Sequence, residues 1–143
     1  MNTIDVRSLS PGTEVPVQTF TPGAVDLFMF SASAWLLHRI HYDLPFTTEH
    51  DGHPGLLIHG PLQGAYLVES AERWLGHGLR LSSLEYRHLA PAYLGDSLDC
   101  GGTVVDIDQD GGTVELDLWA RTGAGTTTTT GRAVFSVEER GER

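Results

Sequence analysis

The chain contains no lysine and a single cysteine, Cys100. One cysteine cannot form a disulfide within the chain, and it excludes a zinc site built from several thiolates of one copy. All nine basic residues are arginines, and the formal net charge is −10 at pH 7. Because nucleic-acid backbones are bound by clustered cations, this acidic balance argues against a nucleic-acid function.

Long apolar runs are also absent. No stretch approaches the roughly 18 consecutive apolar residues that a membrane-spanning helix needs, and Met1 to Asp5 lack the basic start and apolar middle of a secretion signal. A length of 143 residues with 40% hydrophobic and 20% charged residues is typical of one globular domain. We therefore expect a single cytoplasmic domain over residues 1–143 with no membrane role.

The first half of the chain predicts helices. Thr21 and Pro22 suit a helix start, and the apolar run from Ala24 to Leu37 predicts a helix that packs on several sides. The next segment, from Leu44 to Ile58, is rich in proline, glycine and polar residues and predicts an ordered surface loop.

The strongest helix signal follows in HGPLQGAYLVESAERWLG. Pro61 suits the first turn and Gly76 the C-terminal cap, which predicts a helix of about 14 residues. Its apolar stripe at helical spacing consists of Gly64, Leu67, Val68, Ala71, Trp74 and Leu75. The amide of Gly60 would lie at the positive end of this helix.

Beyond Gly78 the pattern is typical of strands. Alternation is clearest over Val114 to Arg121, and DQDGG, from Asp108 to Gly112, predicts the hairpin turn before that strand. Ala133, Phe135 and Val137 mark a last strand, and we expect Thr126 to Thr130 to form an edge strand. A long helix against an antiparallel sheet is an α+β fold. It would leave one sheet face uncovered, so we expect a homodimer.

Histidines are the residues of this sequence best suited to bind a metal or transfer a proton. The stretch WLLHRIHYD places His38 and His41 three residues apart, and His50, His53 and His59 follow. Two such pairs could indicate a metal site, but HxxH alone is a weak signal and zinc needs three or four converging ligands, so we predict no metal. We expect His50 and His53 to be solvated loop residues. Arg39 could bind a carboxylate or phosphate, although a surface pair with Asp43 or Glu49 is favoured.

Two motifs carry a family resemblance. The sequence FSASAWLLHRIHYD, Phe30 to Asp43, is followed by PGLLIHGPL, Pro54 to Leu62. Together they resemble the hot-dog-fold MaoC-like hydratases and dehydratases, nearest the branch of mesaconyl-CoA hydratase and mitochondrial 3-hydroxyacyl-thioester dehydratase. LEYRHLAPAYLGDSLDCGG fits the next strand and turn of that family, so the resemblance covers nearly the whole chain. It implies a hot-dog fold, an antiparallel sheet wrapped around a long central helix.

The resemblance also implies the chemistry. An acyl chain on CoA or on an acyl carrier protein would undergo reversible addition of water across a 2,3-enoyl thioester, without a cofactor. His41 matches the family's catalytic histidine and Gly60 matches the amide that faces the thioester oxygen. His38 is a further catalytic candidate from its spacing, because an offset of three residues can place it on the same face as His41; the alternative is that it only orients that ring or bonds backbone. The substrate-contacting positions that we expect around them are Trp35, Leu36, Arg39, His59 and Pro61.

One position departs from the family pattern. Leu36 stands five residues before His41, where the broader family has an aspartate and the nearer branch usually an asparagine. A leucine cannot hold a water molecule, so two alternatives stay open beside the hydro-lyase. The same thioester pocket could serve an isomerisation or a ring closure, for example of a polyketide intermediate, or the chain could be a non-catalytic acyl-binding subunit.

Overall fold

The computed structural model describes residues 4–137, so the predicted domain limits at residues 1 and 143 lie outside the described part. The three helices are α1 Ala24–Ala34, α2 Leu44–Glu49 and α3 Gly60–Leu75. The five strands are β1 Glu14–Phe20, β2 Leu79–His88, β3 Leu98–Asp108, β4 Thr113–Thr122 and β5 Thr127–Val137. Short 3-10 turns occupy Val6–Ser8 and Arg39–His41. Within residues 4–137, no helix is long and apolar enough to cross a membrane.

The strands form one antiparallel sheet in the order β1-β3-β4-β5-β2. The predicted alternation in β4 is confirmed, because Val114, Leu116, Leu118 and Ala120 are all buried. The prediction that Thr126 to Thr130 form an edge strand is wrong. Most of this run belongs to β5, which lies between β4 and β2, and Thr128 and Thr129 are fully buried. Threonine composition indicates a strand but not the position of that strand in the sheet.

The long helix α3 packs across the inner face of the sheet. Its length is 16 residues, slightly more than predicted, and it ends at a Gly76 cap with positive φ, as expected. Leu67, Ala71 and Leu75 have no exposed surface and join the core formed by the inner side chains of β3, β4 and β5. This arrangement places the N-terminus of α3 at one end of the sheet.

Helix α1 differs from its prediction in two respects. It ends at Ala34 because Trp35 turns into the left-handed region, with φ of 54°. Only Leu27 and Ser31 are buried, whereas Val25, Phe28 and Met29 are more than half exposed. The expectation that this helix packs on several sides is therefore wrong for the single chain, since a small second cluster around Leu56, Ile58 and Leu62 contacts one face alone.

The segment between α1 and α3 also contains a helix where a loop was predicted. The Asp43 side chain accepts a hydrogen bond from the amide of Phe46 at 3.1 Å and so caps α2, with a proline in the first turn. An aspartate at the N-cap with a proline two residues later is an N-terminal helix signal, which the polar composition of the segment obscured. Likewise, Gly23 rather than Thr21 occupies the N-cap of α1. Thr21 instead contacts the Ser97 hydroxyl at 2.9 Å.

Candidate active site

His41 ends the short turn that follows α1, and its side chain is half-buried. Its Nδ1 atom lies 2.9 Å from the carbonyl oxygen of Leu57. Because a carbonyl oxygen can only accept, Nδ1 carries the proton and Nε2 keeps a free lone pair. Burial lowers the pKa of His41, the bond to Leu57 opposes that shift, and nearby His38 lowers it further. The imidazole is thus held as a neutral base at neutral pH.

His59 lies directly against His41. The two rings are stacked with centroids 3.8 Å apart and an angle of 17° between their planes. His59 is fully buried, and its Nε2 atom is 2.7 Å from the hydroxyl of Ser31. Burial, together with the proximity of His41, lowers the pKa of His59 to about 4. This stack joins the motif around His41 to the motif that opens α3, and burial, with His41 nearby, keeps His59 neutral.

The Gly60 amide lies at the N-terminus of α3. His59 occupies the N-cap but provides no side-chain hydrogen bond there, and no hydrogen bond within residues 4–137 uses the Gly60 amide. The first amides of a helix point outward and carry the positive end of its dipole. An uncapped helix start beside a neutral histidine is therefore suited to receive a developing oxyanion.

Gly60 is also in close contact with β2. A Cβ added at Gly60 would overlap Nε2 of His88 and lie 2.7 and 2.8 Å from two ring carbons of that histidine. The His88 ring therefore occupies the space that a side chain at residue 60 would need. Sequence reasoning missed His88, since it falls at the end of a strand with no spacing that relates it to the other histidines.

The remaining predicted residues lie at different depths. His38 is exposed, with its ring centroid 6.1 Å from that of His41. Trp35 is 77% exposed and Leu36 is half-buried. Pro61 is exposed in the first turn of α3. His59 contributes to the site through His41, because its own side chain reaches no surface.

The favoured interpretation of Arg39 is confirmed. Its guanidinium lies 2.6 Å from the carboxylate of Asp43 and 4.2 Å from the ring centroid of Phe46. That pairing lowers the pKa of Asp43. An arginine engaged with both neighbours stabilises the turn that carries His41.

The two HxxH pairs do not come together in one ligand group within the described residues. Within residues 4–137, no three His, Cys, Asp or Glu side chains are grouped as metal ligands. His50 is the C-cap of α2, and His53 lies 3.3 Å from the Tyr93 hydroxyl. Cys100 is buried, and burial raises the pKa of its thiol to about 12.

Three surface grooves do not include the residues of the candidate site. One groove of ≈ 610 Å³ crosses the outer face of the sheet between Arg87, Trp119 and Arg132. Others of ≈ 630 and ≈ 540 Å³ lie near Arg80 and near Arg73. None of these three is lined by His41, His59 or Gly60. The assignment of the candidate site thus depends on side-chain chemistry rather than on a cavity of the single chain.

Comparison with known proteins gives the family. The model of hydroxyacyl-thioester dehydratase type 2 matches residues 3–94, and the chain belongs to this family. Mesaconyl-C(4)-CoA hydratase of Chloroflexus aurantiacus is 37% identical over 86 residues, which are 59% of this chain and 30% of that protein. The mitochondrial hydroxyacyl-thioester dehydratase type 2 of Schizosaccharomyces pombe is 28% identical over 80 residues, 55% of this chain and 27% of that protein. The matched stretches thus span under a third of either relative.

A solved structure gives the fold. The (R)-hydratase from A. caviae involved in PHA biosynthesis superposes with a TM-score of 0.84 over 92% of this chain and 98% of that one, at 21% identity. At this identity the likeness concerns the fold alone. The predicted hot-dog fold is confirmed, with α3 as the helix around which the five-stranded sheet wraps.

Proposed function

We propose that this protein is an acyl-thioester hydro-lyase, which hydrates a 2-enoyl thioester or dehydrates a 3-hydroxyacyl thioester on CoA or an acyl carrier protein. One observation carries the proposal. His41, with its proton fixed on Nδ1 and its Nε2 lone pair free, lies one stacked ring away from the uncapped amide end of α3. The two curated relatives, by their names, act on such thioesters.

The proposed reaction uses the chain's own groups. In hydration, the Nε2 atom of His41 takes a proton from water as the water oxygen bonds to C3. The electron pair of the C2–C3 double bond moves toward the carbonyl, and the Gly60 amide stabilises the negative charge on the thioester oxygen. A proton from solvent then reaches C2 and restores the thioester, while His41 releases to solvent the proton that it took, and dehydration is the reverse. Trp35, Leu36 and Pro61, which are exposed or half-buried near these groups in the sequence, are the proposed contacts of the acyl chain.

His59 supports this reaction without touching the substrate. Stacking fixes the plane of the His41 ring, and the bond between His59 and Ser31 fixes the plane of the His59 ring in turn. Because His59 stays neutral, it does not repel the imidazolium that His41 becomes after taking a proton. The role of His59 in substrate binding is thus indirect in this proposal.

Leu36 favours a second candidate, an isomerase or cyclase that acts on the same thioester. A leucine cannot position a water molecule, and an apolar wall would suit a reaction in which an internal group replaces water. Both candidates use His41 and Gly60, so they differ in product rather than in site. A non-catalytic acyl-binding subunit has no specific observation in its favour.

We also propose a homodimer. Strand β2 forms an edge of the sheet, and its ten residues are mostly exposed. A long exposed edge strand readily pairs with another copy, and the exposed apolar side chains of α1 offer further surface to cover. Light scattering at micromolar concentration should give twice the 15.5 kDa mass of the chain. A strictly monomeric species would contradict this.

A cytoplasmic location stays a prediction from the sequence.

The function is tested by mass spectrometry after incubation with a panel of enoyl-CoA and 3-hydroxyacyl-CoA thioesters. A mass change of about 18 Da, the mass of one water molecule, is expected for the hydro-lyase. An isomeric product of unchanged mass would support the second candidate. If no thioester of the panel is converted while the folded protein binds them, the acyl-binding alternative replaces both.

A further inference from the structure

A second histidine, His88, reaches the amide end of α3 from the sheet. It is the last residue of β2, whereas His41 comes from the turn after α1. Its ring covers the face of Gly60 on which a side chain would stand, with Nε2 as the ring atom nearest that position. His41 contacts the same dipeptide through His59. Two histidines from different parts of the chain thus contact this dipeptide: His41 contacts His59, and His88 contacts Gly60.

Two glycines on α3 leave room for the His88 ring and its neighbour on β2. Gly60 and Gly64 are four residues apart and so lie on one face of the helix. A Cβ at Gly64 would be 3.1 Å from the ring of Tyr86, just as a Cβ at Gly60 would overlap His88. Tyr86 and His88 are two residues apart on one face of β2, with ring centroids 5.4 Å apart. The two rings therefore fill a shallow groove that the glycines leave open.

Two linked hydrogen bonds fix the tautomer of His88. The Thr129 hydroxyl donates its only proton to Oε1 of Gln63 at 2.9 Å, and both residues are buried. Nδ1 of His88 lies 3.0 Å from the same hydroxyl oxygen and must therefore donate to it. Nε2 is left unprotonated, and it forms no hydrogen bond among residues 4–137. The chain thus fixes a free acceptor atom beside Gly60.

We propose that Nε2 of His88 is a second acid/base of the active site and exchanges the proton at C2 of the acyl thioester. The inference rests on the proposed function, in which the thioester oxygen is bound by the Gly60 amide. C2 is attached to the carbonyl carbon that carries this oxygen, so C2 would lie close to Gly60, and His88 is a proton-transferring side chain in contact with that residue. His41 then handles only the proton of the water or hydroxyl at C3.

The proton balance is complete with two histidines. In dehydration, Nε2 of neutral His88 takes the C2 proton while protonated His41 gives its proton to the leaving hydroxyl, which departs as water. The product is the enoyl thioester, with His88 protonated and His41 neutral. The His88 side chain is exposed and that of His41 is half-buried, so His88 can return its proton to solvent and His41 can take one up, which restores the starting protonation states. Hydration runs the same steps in reverse. Burial of part of the ring lowers the pKa of His88, which favours the neutral form that dehydration needs.

The first test is turnover of crotonyl-CoA by His88→Gln, which keeps a side chain able to bond Thr129 but cannot transfer a proton. We expect kcat to fall by roughly 100-fold with KM changed by less than about threefold. The matched control is His77→Ala, at an exposed histidine after α3, with turnover expected unchanged. A His88→Gln variant that turns over within about threefold of the parent would overturn the proposal.

The second test does not require turnover. Butyryl-CoA is saturated and cannot be hydrated, so its binding can be followed by ¹⁵N NMR of the imidazole nitrogens. We expect the Nε2 resonance of His88 to shift on binding, with Nδ1 protonated before and after. A shift without any turnover by the parent would overturn the hydro-lyase function but not the contact. Turnover without a shift at His88 would overturn the present inference and leave the function intact.

Discussion

The imidazole rings of His41 and His59 are stacked, with centroids 3.8 Å apart, yet their surroundings differ sharply. His41 is half-buried and keeps one nitrogen free, whereas His59 has no exposed surface and contacts Ser31. The outer ring is thus available for proton transfer, and the inner ring supports it. This division of roles gives the first two predictions.

Replacing His41 with alanine should lower kcat for thioester conversion by roughly 100-fold or more, the scale of a positioned acid/base. Substrate binding should change less, because the Gly60 amide remains. Steady-state kinetics with the thioester found to be converted would measure both effects. His50→Ala, at an exposed histidine that caps α2, is the control. A folded His41→Ala protein with parental turnover would remove His41 from the mechanism.

His59 should make the protein acid-sensitive. Its pKa is near 6.5 when unfolded and about 4 when folded, so between these values the unfolded chain binds the extra proton. The stability contributed by neutral His59 is complete above pH 6.5 and is lost as the pH falls toward 4. At 1.36 kcal/mol per pKa unit, the loss reaches about 3 kcal/mol.

This loss can be measured by urea unfolding at fixed protein concentration between pH 7 and pH 4. His59→Gln keeps a side chain that can bond Ser31 but does not titrate. Its free energy of unfolding should therefore decline less steeply with acid than that of the parent. Parallel curves for the two proteins would show that His59 does not cause the acid sensitivity.

Gly60→Ala should disturb the site through His88. The added methyl group cannot be accommodated unless the His88 ring moves and loses its bond to Thr129, so we expect a destabilisation of about 1–3 kcal/mol, as for other overpacked sites. In a His88→Ala background the same change should be neutral or stabilising, because the clash is gone. Thermal unfolding of the four proteins measures this coupling.

Gly55→Ala is a matched control for this double-mutant comparison of Gly60 and His88. A Cβ at Gly55 meets nothing within 4 Å, and its backbone is not in the left-handed region. It should be nearly neutral. Equal effects of Gly60→Ala with and without His88 would show that the two residues do not compete for the same space.

Leu36→Asn tests whether the apolar residue directs the reaction away from water. The family resemblance implies that residue 36 holds water for His41, and an amide at this half-buried position can do so, so hydration of crotonyl-CoA should increase. The variant should also be less stable by on the order of 1 kcal/mol, because part of the amide loses contact with solvent. A parent that hydrates briskly, with a slower variant, would show that Leu36 is compatible with hydro-lyase chemistry and would end the case for the isomerase or cyclase.

Local sequence determined the elements whose pattern is strong. The apolar stripe of α3 and its Gly76 cap, the alternation in β4 and the turn after Asp108 were all readable, because each depends on residues close together in the chain. Helix α2 was missed although its Asp43 cap and proline are local signals, since the surrounding segment has the composition of a loop. The motifs around His41 and Gly60 were sufficient to indicate the family.

Only the tertiary structure decided which residues meet. The strand order, which places β5 and its threonines inside the sheet, depends on pairings between distant segments that composition does not encode. The stacking of His59 on His41 and the contact of His88 with Gly60 have the same origin. The sequence shows which side chains can transfer protons. The packing of distant segments decides which of them are buried and which lie against the first residues of α3.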